Sequence, residues 1–120
     1  MVMASEVATD DATAPAEPVQ VTDGAALEEL TATHDVVLVD FYADWCGPCR
    51  MLEPVVERLA AETDAAVAKV DVDAAQDLAF DHGVQGVPTL VVYADGETVD
   101  RTVGAKPEAQ LRALLERHGA

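Results

Sequence analysis

The sequence is poor in basic residues, and lysine in particular is nearly absent. Its 120 residues include 7 Lys plus Arg against 23 Asp plus Glu, which gives a formal net charge of −16 at pH 7. The only lysines are Lys69 and Lys106. Nucleic acids and anionic membranes bind proteins whose Lys and Arg side chains neutralise their phosphates. This charge balance therefore argues against either as a partner.

Long apolar runs are missing as well. No stretch approaches the roughly 20 apolar residues that a membrane-spanning helix needs. The first 18 residues contain neither a basic side chain nor a sustained apolar run, so they do not match a secretory signal, and we expect a cytoplasmic protein. Residues 1–17, dominated by Ala, Thr, Asp, Glu and Pro, are predicted to form an acidic, disordered tail before one domain over residues 18–118.

The large negative charge has two interpretations. Because half of the residues are hydrophobic, the chain can build a core and is not expected to be disordered as a whole. One interpretation is adaptation to a very salty cytoplasm, since a Debye length of about 3 Å at 1 M salt weakens repulsion between surface carboxylates. The other is a low-salt protein that is steered towards a basic partner. The scarcity of lysine favours the halophilic interpretation.

The hydrophobic pattern beyond the tail alternates between strands and helices. It predicts the order β-α-β-α-β-α-β-β-α, an α/β fold with a central mixed sheet and helices on both faces. The apolar run "DVVLVDFYA" reads as a central strand, and "DG" at residues 95–96 predicts a hairpin whose charged second strand lies at the sheet edge. Thr22 or Asp23 is predicted to cap the first helix, and Asp73 the third, where Gln76 would complete a capping box. Gly83 is predicted to end that third helix.

The two cysteines stand two residues apart in "WCGPC", where the central strand ends and a helix begins. Free N–H groups and the positive end of the helix dipole favour a thiolate at Cys46. Cys49, one turn into the helix, is close enough to attack a mixed disulfide formed at Cys46. Gly47 permits the tight entry, and Pro48 is tolerated in a first helical turn. The pattern predicts two-step thiol–disulfide exchange.

Two other roles for the cysteine pair are weaker. A C-x-x-C can be half of a zinc site, but the chain has no second cysteine pair, and its three histidines are scattered through loops and helix ends. A purely structural disulfide is equally disfavoured in a chain with enough apolar residues to form a core. We therefore predict no metal site. The scattered glycines form no nucleotide-binding pattern, so no bound cofactor is expected beyond the Cys46–Cys49 pair.

Asp40 interrupts the apolar run of the predicted central strand. Burial disfavours the charged form of a carboxyl group and raises its pKa, so Asp40 is a candidate proton acceptor near neutral pH. The alternative is a solvent-facing residue on an edge strand. The apolar residues on both sides of Asp40 argue against that alternative.

"WCGPC", preceded by "VDFYAD" and followed by "GVPTL" at residues 86–90, resembles the thioredoxin family over residues 18–118. The resemblance implies a thioredoxin fold. It implies that Cys46 is the exposed attacking thiol and Cys49 the shielded resolving thiol. It further implies that Asp40 helps Cys49 to lose its proton, and that Lys69 lies near this buried acid.

The same resemblance implies a surface that binds target proteins. Trp45, Gly86 and Gly104 correspond to positions around the reactive thiol that substrates touch. Pro88 corresponds to a cis-proline facing the disulfide, and Val87 to a residue whose backbone hydrogen-bonds an extended substrate segment. Without the resemblance a trans bond would be expected, because only about 5–6% of X–Pro bonds in folded proteins are cis.

The resemblance implies a protein disulfide reductase. Such a protein carries electrons from a thioredoxin reductase to protein disulfide substrates, and we expect a monomer. The Gly47–Pro48 dipeptide matches the reducing members of the family. A redox-linked binding or scaffold module and a disulfide oxidase or isomerase remain the alternatives. One departure is Tyr42, where thioredoxins commonly carry tryptophan, and its hydroxyl would need a hydrogen-bonding partner.

Overall fold

The computed structural model describes residues 13–120. Its elements over this range are β1 (Val19–Gln20), α1 (Gly24–Thr33), β2 (Val36–Tyr42), α2 (Gly47–Glu62), β3 (Ala66–Asp71), α3 (Gln76–Asp81), β4 (Thr89–Ala94), β5 (Glu97–Val103) and α4 (Glu108–Arg117). This is the order that the sequence predicts, although β1 has only two residues. None of these helices has the length and apolar character needed to cross a membrane.

The strands form one mixed sheet in the order β1-β3-β2-β4-β5. Strand β2 lies at its centre, parallel to β3 on one side and antiparallel to β4 on the other. Strand β1 is parallel to β3 and forms one edge, and β5 is antiparallel to β4 and forms the other. The predictions of a central β2 and of a charged edge strand after the hairpin are therefore confirmed.

Helices cover both faces of this sheet, as predicted. Along β2, side chains point alternately to opposite faces. Val36 and Leu38 belong to the apolar layer under α2 and α4, together with buried residues such as Leu52, Val56, Leu59, Leu111 and Leu115. Val37, Val39 and Phe41 belong to the layer under α1 and α3, together with Leu27, Leu78 and Ala79. The sheet is thus buried on both sides, which explains why β2 reads as a continuous apolar run.

Several local signals in the sequence are also confirmed. The Asp23 side chain caps α1 by accepting a hydrogen bond of 2.8 Å from the backbone N–H of Ala26. Asp95 and Gly96 both have positive φ, as a two-residue hairpin turn of the I′ type requires. Gly83, with φ of 67°, follows α3 in the left-handed conformation that ends helices.

The predicted cap of α3 is wrong. The helix begins at Gln76 with Ala75 as its N-cap, and no side chain caps it. Asp71, at the end of β3, turns the chain instead, because its Oδ1 accepts a hydrogen bond of 2.9 Å from the backbone N–H of Asp73. This turn leaves the Asp73 carboxylate available for another partner.

The predicted tail lies mostly outside the described residues, which begin at Thr13. Ala14 is half-buried and packs against the apolar layer under α1 and α3. The proposed boundary of the tail at residue 17 stays a prediction.

The α2 layer gives a direct test of the packing. Leu59 is fully buried, whereas Met51 on the same helix is 77% exposed. We expect Leu59→Ala to lower the free energy of unfolding by about 2–5 kcal/mol, because it removes buried methyl groups and leaves a cavity. Met51→Ala is the matched control and should stay within about 0.5 kcal/mol of the wild type. Urea unfolding at one fixed KCl concentration measures both, and equal losses in the two variants would contradict this packing.

Candidate active site

Cys46 lies at the junction of β2 and α2 and is the N-cap residue of the helix. Its backbone is extended, with φ of −91° and ψ of 114°, and its carbonyl accepts a hydrogen bond of 3.1 Å from the N–H of Arg50. Its Sγ accepts a hydrogen bond of 3.2 Å from the backbone N–H of Cys49. The sulfur therefore occupies the place of the side-chain oxygen in an ordinary N-cap. This confirms the predicted position at the positive end of a helix.

Cys46 and Cys49 are joined in a disulfide, with their Cα atoms 5.3 Å apart. Both residues are buried, with 5% of Cys46 and 2% of Cys49 exposed. They pack together with Ala43 and against Val87. The expectation that Cys46 is exposed is thus wrong for the oxidised protein, in which its side chain packs into this small cluster.

Trp45 supplies the exposed apolar surface that the disulfide lacks. It is 70% exposed, and its indole Nε1 donates a hydrogen bond of 2.9 Å to Oδ2 of Asp73. The hydrogen bond ties the loop after β2 to the loop after β3 and fixes the edge of the ring beside the cysteines. The sequence does not reveal this partner, because Asp73 also fits the pattern of a helix cap.

The loop before β4 forms the other side of the site. The peptide bond between Val87 and Pro88 is cis, as the resemblance implies. The carbonyl oxygen of Val87 lies 3.8 Å from Sγ of Cys46. Gly104 joins this loop through its N–H, which donates a hydrogen bond of 2.7 Å to the carbonyl of Pro88. The Gly86 carbonyl accepts one of 2.6 Å from the hydroxyl of Thr89.

Asp40 is completely buried in β2 and shares the sheet face of Leu38, under α2. Neither of its carboxyl oxygens has a hydrogen-bond partner among the described residues. Burial raises the pKa of Asp40 from 3.8 to about 7, while the positive charge of Lys69 lowers it and the negative charge of Glu53 adds a smaller increase. Asp40 can therefore exchange a proton near neutral pH. The edge-strand alternative is excluded, because β2 is the central strand of the sheet and Asp40 is completely buried.

Lys69 lies beside Asp40, since the two residues are paired in register on β3 and β2. Its ammonium nevertheless binds Oε2 of Glu53 on α2, at 3.1 Å, and lies 4.3 Å from the centre of the Tyr42 ring. The Tyr42 hydroxyl accepts a hydrogen bond of 2.9 Å from the side-chain amide of Gln20. Tyr42 thus has the partner that its hydroxyl was expected to need. Glu53 and Gln20 were missed, because only the packing of α2 and β1 against β3 brings them here.

Within residues 13–120, no group of three or more His, Cys, Asp and Glu side chains is placed to hold a metal ion. The three histidines, His34, His82 and His118, each follow a different helix as its C-cap. What the site does contain is one disulfide at a helix N-terminus, a carboxyl group whose pKa burial raises to about 7, and an exposed indole. This chemistry suits the transfer of two electrons between thiols and disulfides.

Comparisons with known proteins agree with this chemistry. A family model described as Thioredoxin matches residues 17–117. A thioredoxin of Mycobacterium tuberculosis is 45% identical over 95 residues, which cover 78% of this chain and 82% of that protein. A thioredoxin of Pyropia yezoensis is 40% identical over 101 residues, which cover 82% of this chain and 94% of that protein.

Solved structures give the same result for the fold. A mutant thioredoxin from Halobacterium salinarum superimposes with a TM-score of 0.87 at 57% identity, over 89% of this chain and 95% of that one. A thioredoxin of Malassezia sympodialis superimposes with a TM-score of 0.77 at 34% identity, over 88% and 95% of the two chains. The family model, the relatives and the fold all lead to one conclusion: this chain belongs to the thioredoxin family and is a protein disulfide oxidoreductase.

Proposed function

We propose that this chain is a cytoplasmic protein disulfide reductase, which receives two electrons from a thioredoxin reductase and passes them to protein disulfides. The observation that carries the proposal is the Cys46 sulfur in the N-cap position of α2, where it accepts the N–H of Cys49 at 3.2 Å. That hydrogen bond and the helix dipole stabilise negative charge on this sulfur once the disulfide is reduced. A reducing compartment would keep the pair in its dithiol form between turnovers.

In the first step, the Cys46 thiolate attacks one sulfur of a target disulfide. The bond between Cys46 Sγ and the target sulfur forms, the target's own S–S bond breaks, and its other sulfur leaves as a thiolate. We propose that the backbone of the loop at Val87 and Pro88 hydrogen-bonds an extended target segment, because the Val87 carbonyl oxygen lies 3.8 Å from Sγ of Cys46. We assign substrate contact to this loop with Gly86, to Gly104 and to the exposed face of Trp45.

In the second step, Cys49 loses its proton and attacks Sγ of Cys46. The Cys46–Cys49 bond forms and the mixed disulfide breaks, so the second target sulfur leaves as a thiolate. The target has then gained two electrons and the protein has lost two. The reductase returns the pair to the dithiol form.

We assign Asp40 the role of accepting the proton of Cys49. The support is its position on the sheet face that α2 covers, its unpartnered oxygens among the described residues and its pKa of about 7. A carboxyl group with this pKa is half ionised near neutral pH and can both take and release a proton during one cycle.

The roles of the two cysteines are tested by removing one sulfur at a time. With dithiothreitol as the reductant, the wild type should accelerate the reduction of insulin, and Cys46→Ser should abolish the acceleration. When the reduced Cys49→Ser variant is mixed with insulin after dithiothreitol has been removed, it should instead accumulate a mixed disulfide between Cys46 and the target, because the second step is blocked. Turbidity measures the first effect and non-reducing mass spectrometry the second.

Arg50→Ala serves as a control, because it changes an exposed residue beside the pair and leaves both sulfurs in place. It should retain most of the activity. A Cys46→Ser variant as active as the wild type would refute the proposal. A Cys49→Ser variant that forms no adduct would refute the assignment of Cys49.

The buried carboxyl of Asp40 should make stability depend on pH. Because its folded-state pKa is raised from 3.8 to about 7, folded Asp40 keeps its proton between about pH 4 and 7, where the unfolded chain has lost it. Stability therefore falls as the pH rises through this window. Asp40→Asn removes this contribution. Between pH 5 and pH 8.5, the free energy of unfolding of the wild type should therefore fall by on the order of 2–3 kcal/mol more than that of the variant.

Urea unfolding of the oxidised proteins at both pH values gives the measurement. Taking the difference between wild type and variant cancels the other titrating groups. A wild-type-minus-variant difference that stays constant with pH would show that Asp40 does not titrate in this range.

We further infer that the protein works at high salt. The net charge is −16, yet the salt bridges among the described residues engage only the carboxylates of Glu53, Glu62 and Glu108. The remaining carboxylates repel one another wherever salt does not screen them. The similarity to the Halobacterium salinarum structure, at 57% identity, supports the same inference.

The thermal midpoint should therefore rise by about 10 °C or more between 0.1 M and 3 M KCl, because screening removes surface repulsion. A double variant, Glu28→Gln with Glu29→Gln, removes two exposed charges from α1. It should have a higher thermal midpoint at 0.1 M KCl than the wild type, and therefore a smaller difference between the midpoints at 0.1 M and 3 M KCl. Differential scanning calorimetry measures both proteins. An unchanged midpoint in the wild type would remove the halophilic assignment.

A further inference from the structure

A row of polar side chains crosses the sheet beneath α2. Gln20 of β1, Lys69 of β3 and Asp40 of β2 are neighbours in register. Lys69 and Asp40 share one face, since Val67 and Leu38, two residues before them, both belong to the layer under α2. A lysine ammonium thus has a buried carboxyl group as its neighbour on the adjacent strand.

This lysine nevertheless pairs with a different carboxylate. Its Nζ lies 3.1 Å from Oε2 of Glu53 and 4.3 Å from the centre of the Tyr42 ring. Tyr42 is itself fixed by the hydrogen bond of 2.9 Å from Gln20. The side chain of Lys69 is 14% exposed and that of Glu53 is 49% exposed, so the pair lies at the outer margin of the layer. Asp40, by contrast, has no partner among the described residues.

We propose that Glu53 is a positioning residue: it holds the Lys69 ammonium on the Tyr42 ring, so that the ammonium does not pair with Asp40 and the Asp40 carboxyl can bind and release a proton during exchange. An ion pair between Lys69 and Asp40 would favour the ionised carboxylate and keep it from carrying a proton. Glu53 prevents this pairing, because Lys69 forms its ion pair with the Glu53 carboxylate instead.

The placement of Glu53 links this effect to the reactive pair. Glu53 follows Cys49 by four residues in α2, and residues with this spacing lie on one face of a helix. The charged groups that act on Asp40 are Lys69 from β3 and Glu53 from α2. Its neighbour on β4 is Leu90, and α4 adds leucines to the same layer, so neither element brings a charge to Asp40.

The inference rests on the proposed role of Asp40 as the proton acceptor for Cys49. Its test therefore measures the Asp40 carboxyl directly, by ¹³C NMR titration of the oxidised protein at one fixed KCl concentration. Glu53→Gln should lower the titration midpoint of Asp40 by about 0.5–1 pH unit, because the released ammonium then favours the carboxylate. Lys69→Met should raise the midpoint.

Glu57→Gln is the matched control. It removes the same charge one turn later in α2, from a residue that forms no salt bridge in the described part of the chain. The titration midpoint of Asp40 in Glu57→Gln should equal that of the wild type within experimental error. A shift in Glu57→Gln as large as that in Glu53→Gln would overturn the proposal, since any lost negative charge would then suffice.

The double variant Glu53→Gln with Lys69→Met shows how Glu53 affects Asp40. Glu53 can act by holding the Lys69 ammonium, or its own negative charge can act on Asp40 directly. If Glu53 acts through Lys69, its substitution shifts the midpoint by less than half as much when Lys69 is already absent. An equal shift in the two backgrounds would overturn the proposal.

The pH dependence of insulin reduction distinguishes this inference from the function on which it rests. In Glu53→Gln, the rising limb of the rate profile should move to lower pH together with the Asp40 midpoint. A moved midpoint with an unmoved rate profile would refute the catalytic role of Asp40 and leave the control of its proton by Glu53 standing.

Discussion

One backbone hydrogen bond, from the N–H of Cys49 to the sulfur of Cys46, places the reactive atom of this protein at the start of a helix. The sulfur does the work of a capping oxygen, so the first turn of α2 and the redox centre are built from the same atoms. The helix in turn is fixed by Leu52, Val56 and Leu59, all buried against the sheet. A shift of α2 along the sheet would disrupt this packing, and the sulfur therefore stays where the helix dipole acts on it.

The layer that holds α2 in place also contains the buried carboxyl group of Asp40. A charged group without a partner is costly to bury, and Asp40 responds by keeping its proton up to about pH 7. Among residues 13–120, the opposite face of the sheet has no buried carboxyl group. The buried carboxyl group, which is costly to ionise, thus lies on the sheet face under α2. This is the face where the proposed chemistry needs a group that changes charge.

The sequence correctly predicts those structural features that are determined by residues within a single helix, strand or turn. The period of the apolar residues, the Asp23 cap and the Asp95–Gly96 turn depend on neighbours within a few positions, and all three are confirmed. The prediction failed at Asp73, because two acidic residues stand two positions apart and the pattern does not tell which one turns the chain. Asp71 does so, and Asp73 bonds Trp45 from 28 residues away.

The site shows the same limit. The positions of Cys46, Cys49 and Asp40 follow from a strand that runs into a helix, which the sequence displays. The burial of Cys46 does not follow, since it involves packing against Val87, 41 residues away. Glu53 reads as one more exposed acid on a helix, and nothing in its neighbourhood along the chain indicates Lys69. Only the crossing of α2 over β3 makes that pair.

The excess of carboxylates has different consequences at the surface and in this layer. At molar salt the Debye length is about 3 Å, so exposed carboxylates separated by more than this distance hardly sense one another. Asp40 is completely buried and Lys69 is only 14% exposed, although Glu53 is half exposed, and interactions between buried charges are screened much less. The contact between Lys69 and Glu53, at 3.1 Å, is about as short as that screening length. A protein with this charge distribution can depend on salt for its stability while the proton equilibrium at its reactive centre stays largely insulated from the salt concentration.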